Sequence, residues 1–206
     1  GRVIEVRNDS RVAARNGETL VVTLDSIIQL YTERQLQAIV QEWQPKSACA
    51  IVMDVKTCEL LAMASVPTFD LNHPEKISES AWKNTAIASI YEPGSTLKPF
   101  IYGMAFEDLL LHPQTMIDDT PIRYGDYMPT NFDEDYHGRM TVREALQRSL
   151  NTPAVAVLDR LGPTRLATRL RQCGVTLQFP GLDPVAPLPL ALGGVGTTLW
   201  DLTGAY

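Results

Sequence analysis

The feature that most constrains this chain is a Pro-Gly break followed at once by an apolar helical segment. Pro93-Gly94 interrupts the chain, and apolar side chains then recur at helical spacing. These apolar positions are Leu97, Phe100, Ile101, Met104, Ala105 and Leu109. The pattern predicts a long buried helix over residues 95–110, with Ser95 at its N-terminus.

Ser95 and Lys98 have the spacing of a nucleophile and its base. Residues three apart on a helix lie on one face, one turn from each other. A lysine amine placed there can take the proton of a serine hydroxyl, which is a poor nucleophile without an adjacent base. The same spacing recurs at Ser80 and Lys83, but without a preceding turn or a following apolar helix, so we interpret that copy as solvated surface.

Composition is that of a folded globular protein, because the 206 residues are 45% hydrophobic and 20% charged. With a formal net charge of −6 and no basic cluster, the chain is not predicted to bind nucleic acid. No apolar run approaches the roughly 18 residues of a membrane span. The three histidines are scattered singly, so neither a metal nor another cofactor is predicted.

The order of the predicted elements is a strand, a helix, two paired strands and then mostly helices. Strands are predicted over residues 18–24, 48–55 and 59–66, and helices over residues 26–43, 80–90, 95–110, 141–149, 153–161 and 164–173, with another helix starting at Thr198. Residues 67–79 and 112–138 are predicted to be irregular. This order indicates an α/β (α+β) domain with an antiparallel sheet and an all-helical region.

Cys49 and Cys58 lie on the two paired strands but are not predicted to form a disulfide. The predicted register places Cys49 near Ala64, about 20 Å along the strand from Cys58. A disulfide requires Cα atoms within about 7 Å. Both cysteines are therefore interpreted as buried small apolar residues.

Ser149 and Asn151 form a second candidate site between two predicted helices, where short polar side chains can point into a cleft. Helix capping alone would also explain these residue types at a helix boundary. The Ser-x-Asn pattern occurs once in the chain and follows the Pro-Gly-Ser-x-x-Lys block. Together the two patterns favour a catalytic function.

With these motifs the chain resembles the transpeptidase domain of penicillin-binding proteins, particularly the bifunctional class A synthases. The matching stretches are residues 91–100, 143–155 and 190–198, and the resemblance covers roughly residues 18–206. It implies a penicillin-binding/β-lactamase-like fold, in which an antiparallel sheet has helices on both faces beside an all-helical region. Residues 1–17 are then expected to be a linker from a preceding domain.

The resemblance implies acyl transfer on the D-Ala-D-Ala end of peptidoglycan stem peptides, with β-lactams as further ligands. Ser95 is then the nucleophile, Lys98 its base and Ser149 a proton relay, and Asn151 holds both Lys98 and the substrate. The implied location is the periplasmic face of the bacterial inner membrane, in a membrane-anchored parent protein with a glycosyltransferase domain.

One motif of the family, Lys-Thr-Gly or Lys-Ser-Gly, does not follow Ser149; Lys56-Thr57 is followed by Cys58 and precedes the nucleophile. The family would place this motif beyond Tyr206, on a strand that lines the site. We therefore expect a truncated domain that is inactive alone and whose partner is the missing C-terminal segment or a second chain.

Two alternatives stay open. One is a degenerate penicillin-recognising sensor or scaffold without turnover. The other is a β-lactamase-like serine hydrolase, for which no residue that would activate the deacylating water stands out.

Overall fold

The computed structural model describes residues 16–70, 72–73, 77, 79–180 and 187–206. The predicted linker lies almost wholly outside the described residues, as does part of the predicted loop over residues 67–79. The helices are α1 (Ser26–Trp43), α2 (Thr85–Ala88), α3 (Lys98–Glu107), α4 (Val142–Gln147), α5 (Asn151–Leu161), α6 (Pro163–Gln172) and α7 (Leu199–Ala205); the strands are β1 (Ala48–Met53), β2 (Leu60–Val66), β3 (Met116–Asp119) and β4 (Gly138–Thr141). Within these ranges no helix is both long and apolar enough to cross a membrane.

β1 and β2 form the predicted antiparallel hairpin. The Asp54 carboxylate shapes its turn by accepting the N–H groups of Lys56 and Thr57. Helices α1, α2 and α7 pack against the hairpin, so a small sheet lies beside a larger set of helices. The mixed α/β class predicted from the sequence is confirmed.

The two cysteines are unpaired as predicted, but the prediction that both are buried is wrong, since Cys49 is half-buried and Cys58 is exposed. Cys49 lies opposite Ser65, and the thiols of Cys49 and Cys58 are both free. Cys58 is exposed because it occupies the hairpin turn, where its φ is 59°.

α1 begins where the sequence predicts, because the Asp25 carboxylate accepts the N–H groups of Ile27 and Ile28. One turn later, Gln29 pairs with the outer edge of β2. Its Nε2 donates to the carbonyl of Met63 at 2.9 Å, and its Oε1 accepts the Met63 N–H at 2.8 Å. The helix thus satisfies an edge position to which another strand would otherwise pair.

The strand predicted over residues 18–24 is not formed. An alternating pattern forms a strand only where the edge of a neighbouring strand is free to pair with it. Here α1 occupies the edge of β2 through Gln29. The segment meets β2 only at its end, where the Thr23 hydroxyl donates to the Leu60 carbonyl and the Asp25 N–H donates to that of Leu61. Leu20 and Val21 are exposed as a result.

The main hydrophobic core lies among the helices. Its fully buried members include Leu97, Ile101, Tyr102, Ala105, Ala154, Val155, Leu158, Leu166, Leu170 and Leu190. These residues come from α3, α5 and α6 and from two 3₁₀ turns, over Gly94–Leu97 and Leu188–Leu192. The core therefore supports the segment that begins at Ser95 from several sides.

The helix predicted over residues 95–110 is shorter and starts differently. It begins as a 3₁₀ turn over Gly94–Leu97 and continues as α3. Pro99 has no N–H to donate to the Ser95 carbonyl, and the N–H of Lys98 donates to it instead, which closes the tighter turn. The helix ends at Glu107, so Leu109 is 91% exposed and the prediction that it is buried is wrong.

The other helix boundaries follow local capping signals. The predicted capping box is present, with Thr141 and Glu144 bonded reciprocally at the start of α4. Thr198 caps α7 as predicted. The helix predicted over residues 80–90 is instead a 3₁₀ turn over Glu79–Trp82 and the short α2, because Asn84 caps a new start between them.

The region predicted to be irregular over residues 112–138 contains ordered backbone pairing. β3 lies within this region and pairs antiparallel with β4, joining Asp119 to Gly138 at the base of a loop over residues 120–137. Within that loop, Tyr124 and Tyr127 exchange backbone hydrogen bonds. Both strands are only four residues long and mix charged with apolar side chains, so they lack an alternating signal. The loop they hold extends to the N-terminus of α5.

Candidate active site

Ser95 lies on the 3₁₀ turn and is exposed. Gly94 precedes it with a φ of 61°, a left-handed conformation that favours glycine. Within the described part of the chain, the Ser95 hydroxyl makes no hydrogen bond. The predicted nucleophile is thus accessible at the start of a buried helix.

Lys98 is buried, with 1% of its surface exposed, at the first position of α3. Its Nζ donates to three oxygens: the Ser149 carbonyl at 2.5 Å, the Ser149 hydroxyl at 3.2 Å and Oδ1 of Asn151 at 2.7 Å. The structure therefore brings Lys98, Ser149 and Asn151 together. The Ser95–Lys98 spacing predicts Lys98 as the base of Ser95, but no hydrogen bond joins their side chains among the described residues.

Burial lowers the pKa of Lys98 from 10.5 to about 8, because the low-dielectric surroundings disfavour the charged ammonium. The three oxygens suit either protonation state. An ammonium donates to all three, whereas a neutral amine donates to the Ser149 carbonyl and to Asn151 and accepts from the Ser149 hydroxyl. The site can therefore hold Lys98 in place while it gains or loses a proton.

Ser149 adopts a left-handed conformation, with a φ of 54°. It follows α4 in a Schellman turn: its N–H donates to the Leu146 carbonyl and the N–H of Leu150 donates to that of Ala145. Glycine is usual at this position, and a residue with a Cβ costs about 1–2 kcal/mol there. The turn presents both the carbonyl and the hydroxyl of Ser149 to Lys98.

Asn151 is the first residue of α5, and a loop holds it from two sides. Its Nδ2 donates to the carbonyl of Thr130 at 2.8 Å, and its N–H donates to Oδ1 of Asn131 at 2.8 Å. This leaves Oδ1 of Asn151 directed at Lys98. Thr130 and Asn131 are absent from the predicted site, because an asparagine in a loop is an ordinary turn residue in sequence.

Comparison with known proteins identifies the family. Residues 48–183 match the family model described as the penicillin-binding protein transpeptidase domain. The chain belongs to this transpeptidase family. The family predicted from the two motifs is therefore confirmed, and so is the penicillin-binding fold.

Similar proteins carry the same family names. The transpeptidase domain is 40% identical over 194 residues to penicillin-binding protein 1C of Escherichia coli, covering 92% of this chain and 24% of that protein. It is 26% identical over 186 residues to a probable peptidoglycan D,D-transpeptidase, PenA, of Neisseria meningitidis, covering 88% of this chain and 32% of that protein. The chain thus spans about a quarter to a third of the length of these relatives.

The glycine-rich segment of the transpeptidase domain, residues 193–197, supports the turn that carries Ser95. Tyr91 and Thr197 exchange backbone hydrogen bonds of 2.9 and 3.0 Å. Gly193 lies against Gly94, and a Cβ added to Gly193 would stand 2.1 Å from the Gly94 nitrogen. A backbone-to-backbone contact therefore fixes the residue directly before the nucleophile.

Among the described residues, no group of three or more His, Cys, Asp or Glu could hold a metal ion. The polar groups near Lys98 are a hydroxyl, an amide and a backbone carbonyl. This donor set suits proton transfer and hydrogen bonding.

Proposed function

We propose that this domain is a serine-type D,D-transpeptidase that cross-links peptidoglycan stem peptides through an acyl-enzyme on Ser95. β-Lactams acylate the same serine. The observation that carries the proposal is Lys98, buried one turn from an exposed serine and held at Nζ by Ser149 and Asn151. Relatives named peptidoglycan D,D-transpeptidase support this reaction class.

In the first half-reaction, neutral Lys98 takes the proton of the Ser95 hydroxyl as Oγ attacks the carbonyl of the penultimate D-Ala. The C–N bond to the terminal D-Ala breaks, and the proton passes through the Ser149 hydroxyl to the leaving nitrogen. The Ser95 N–H, at the start of the turn, donates to the developing oxyanion, and one such donor is worth about 2.7–4 kcal/mol.

In the second half-reaction, an amine from a neighbouring stem peptide attacks the acyl-enzyme. Its proton passes through Ser149 to Lys98, and Lys98 returns a proton to Oγ of Ser95 as the ester bond breaks. Lys98 therefore acts as base and acid in turn, as general acid–base catalysis requires. Substrate binding must first bring Ser95 within hydrogen-bonding distance of Lys98, since catalytic hydrogen bonds often tighten only in the complex.

The reaction places the domain where peptidoglycan is cross-linked, at the periplasmic face of the bacterial inner membrane. We propose that the full-length protein also carries a membrane anchor, a glycosyltransferase domain and the third motif, as the class A resemblance implies. The tests below therefore use the protein at its natural full length.

Ser95→Ala is expected to abolish covalent labelling by a fluorescent penicillin, because Ser95 is the exposed serine at the start of the turn that leads into Lys98, and a serine nucleophile needs an adjacent base. Peptide mapping should locate the adduct on Ser95. Ser80→Ala, in the second Ser-x-x-Lys pattern, is the matched control and should label like the wild type. An adduct on Ser80 or Ser149 would overturn the assignment.

The fate of the adduct separates the remaining alternatives. Intact mass spectrometry after incubation with a β-lactam should show a lasting adduct. A separate incubation with a stem-peptide donor and an amine acceptor should give a cross-linked product. A lasting adduct without cross-linked product would instead indicate a sensor or scaffold. Rapid release of hydrolysed drug would indicate a hydrolase.

Ser149→Gly and Ser149→Ala are expected to differ in stability but not in activity. Both remove the hydroxyl relay, so acylation of Ser95 should fall by a similar factor, about 10²–10⁴-fold. The glycine variant should be more stable than the alanine variant by about 1 kcal/mol, because only alanine keeps a Cβ in the left-handed conformation. Urea denaturation and penicillin labelling measure the two effects, and equal stabilities would contradict the strain at Ser149.

A further inference from the structure

We propose that Asp119 and Asn131 are positioning residues: a buried carboxylate–amide pair that clamps the first turn of α5 and thereby sets Asn151 against Lys98. This inference rests on the proposed function, because it assigns the pair a part in the acylation of Ser95.

Asn131 is the centre of the clamp. It is 4% exposed and lies in the loop over residues 120–137. Its Nδ2 lies 3.0 and 2.9 Å from the two carboxylate oxygens of Asp119 and donates to the Asp135 carbonyl at 2.8 Å. Its Oδ1 accepts the N–H groups of Asn151 at 2.8 Å and Thr152 at 3.4 Å. Every polar atom of this side chain is therefore used.

Asp119 determines which way the Asn131 amide faces. An ionised carboxylate only accepts hydrogen bonds, so the NH₂ group must face it. The carbonyl oxygen of Asn131 is then directed at the helix. In the opposite orientation, Oδ1 of Asn131 would face the Asp119 carboxylate, which is also an acceptor. The NH₂ group of Asn131 would then face the N–H groups of Asn151 and Thr152, which are also donors.

α5 depends on this acceptor. The first N–H groups of a helix have no partner within it. Leu150, at the N-cap position, offers no side-chain hydrogen bond, and Asn131 supplies the acceptor from a separate loop. The clamp thus fixes the backbone of Asn151, while the Thr130 carbonyl fixes its side-chain NH₂.

Asp119 is itself held rigidly. It is fully buried at the end of β3, opposite Gly138, and it accepts the N–H of His137 at 2.9 Å. Within the described residues no cation pairs with it. Burying a carboxylate that is satisfied only by N–H donors costs free energy of desolvation. Capping alone does not require this cost, because a local Ser, Thr, Asn or Asp can cap a helix. The pair therefore adds orientation to capping, and the residue it orients contacts Lys98.

The test is penicillin labelling of the full-length protein with Asn131→Asp, Asp119→Asn and the exchanged pair D119N/N131D. Asn131→Asp sets two carboxylates face to face, and acylation should fall by about 10–100-fold. Asp119→Asn removes the orienting charge and should cause a smaller loss. The exchanged pair restores one carboxylate facing one amide, but it loses the donor to the Asp135 carbonyl, so it should recover part of the rate lost in Asn131→Asp.

Asp126→Asn is the matched control. Asp126 belongs to the same loop and is exposed. The substitution removes the same charge as Asp119→Asn without touching the clamp, so labelling should stay within about twofold of the wild type.

A merely structural role is excluded in an Asn151→Ala background. If the clamp acts through Asn151, adding Asn131→Asp there should cost less than about twofold in rate, although it still lowers stability. The same loss in both backgrounds would overturn the inference, as would an Asn131→Asp protein that is folded and labels at the wild-type rate. Should Asn131→Asp fail to fold, the same comparison with Asp119→Asn decides.

The two proposals fail separately. A wild-type protein that does not label, or a Ser95→Ala variant that does, defeats the proposed function. Labelling on Ser95 that is insensitive to the clamp variants defeats only the positioning inference.

Discussion

Lys98→Arg is expected to lower the rate of Ser95 acylation by about 10²–10⁴-fold, the usual contribution of a general base. Arginine keeps the positive charge, but its guanidinium does not lose a proton in proteins. Lys98→Met, which removes the charge and keeps an unbranched side chain, should cause the same loss. Penicillin labelling measures the rate, and circular dichroism shows that each variant is folded.

The pH dependence of the wild type should carry the signature of Lys98. Burial lowers the pKa of Lys98 to about 8. Below pH 8 the fraction of Lys98 that is neutral therefore rises about tenfold per pH unit, and above pH 8 most of the lysine is neutral. The acylation rate should rise with pH in the same way and then level off. Neither Lys98 variant should show this rise.

Lys83→Arg provides the matched control, since Lys83 is exposed in the second Ser-x-x-Lys pattern. Its labelling and its pH profile should match the wild type within about twofold. A Lys98→Arg protein that acylates at the wild-type rate would remove Lys98 from the mechanism.

Gly193→Ala is expected to destabilise the domain by about 2–4 kcal/mol and to impair acylation as well. The added Cβ would stand 2.1 Å from the nitrogen of Gly94, and a backbone atom cannot rotate away as a flexible side chain would. Gly193 also has a φ of 76°, which strains any residue with a Cβ. Relief of the clash requires the turn before Ser95 to move.

Urea denaturation and penicillin labelling measure these two effects, and Gly103→Ala is their control. Gly103 lies within α3 with nothing within 4 Å of an added Cβ, so this change should stabilise the domain by up to about 1 kcal/mol. A Gly193→Ala protein as stable as the wild type would show that the glycine-rich segment does not fix the turn.

Local signals predicted the start of several elements correctly. Asp25, Thr141 and Thr198 cap their helices as expected, because a capping side chain bonds the N–H groups two or three residues further on. The β1–β2 hairpin is also local. At residues 18–24 the sequence failed because tertiary structure decided. The segment has strand propensity, but Gln29 of α1 occupies the edge of β2 that it would need.

The candidate site divides in the same way. The sequence alone determined that Ser95 begins a helix with Lys98 one turn on, because that spacing is a property of the helix. The combination of the two motifs, and the resemblance that they carry, added Ser149 and Asn151, since helix capping alone would also explain these residues. Only the tertiary structure decided that Nζ of Lys98 bonds Ser149 and Asn151 and not Ser95, and that Ser149 adopts a left-handed conformation.

Only tertiary structure could reveal the clamp on α5. In sequence, Asp119 is one acidic residue among several and Asn131 one asparagine in a long loop. Their significance comes from burial, which removes water as a competitor and makes each hydrogen bond specify an orientation. Burial depends on how β3, the loop and α5 meet, and residues separated by 20 or 32 positions carry no periodic signal of that meeting.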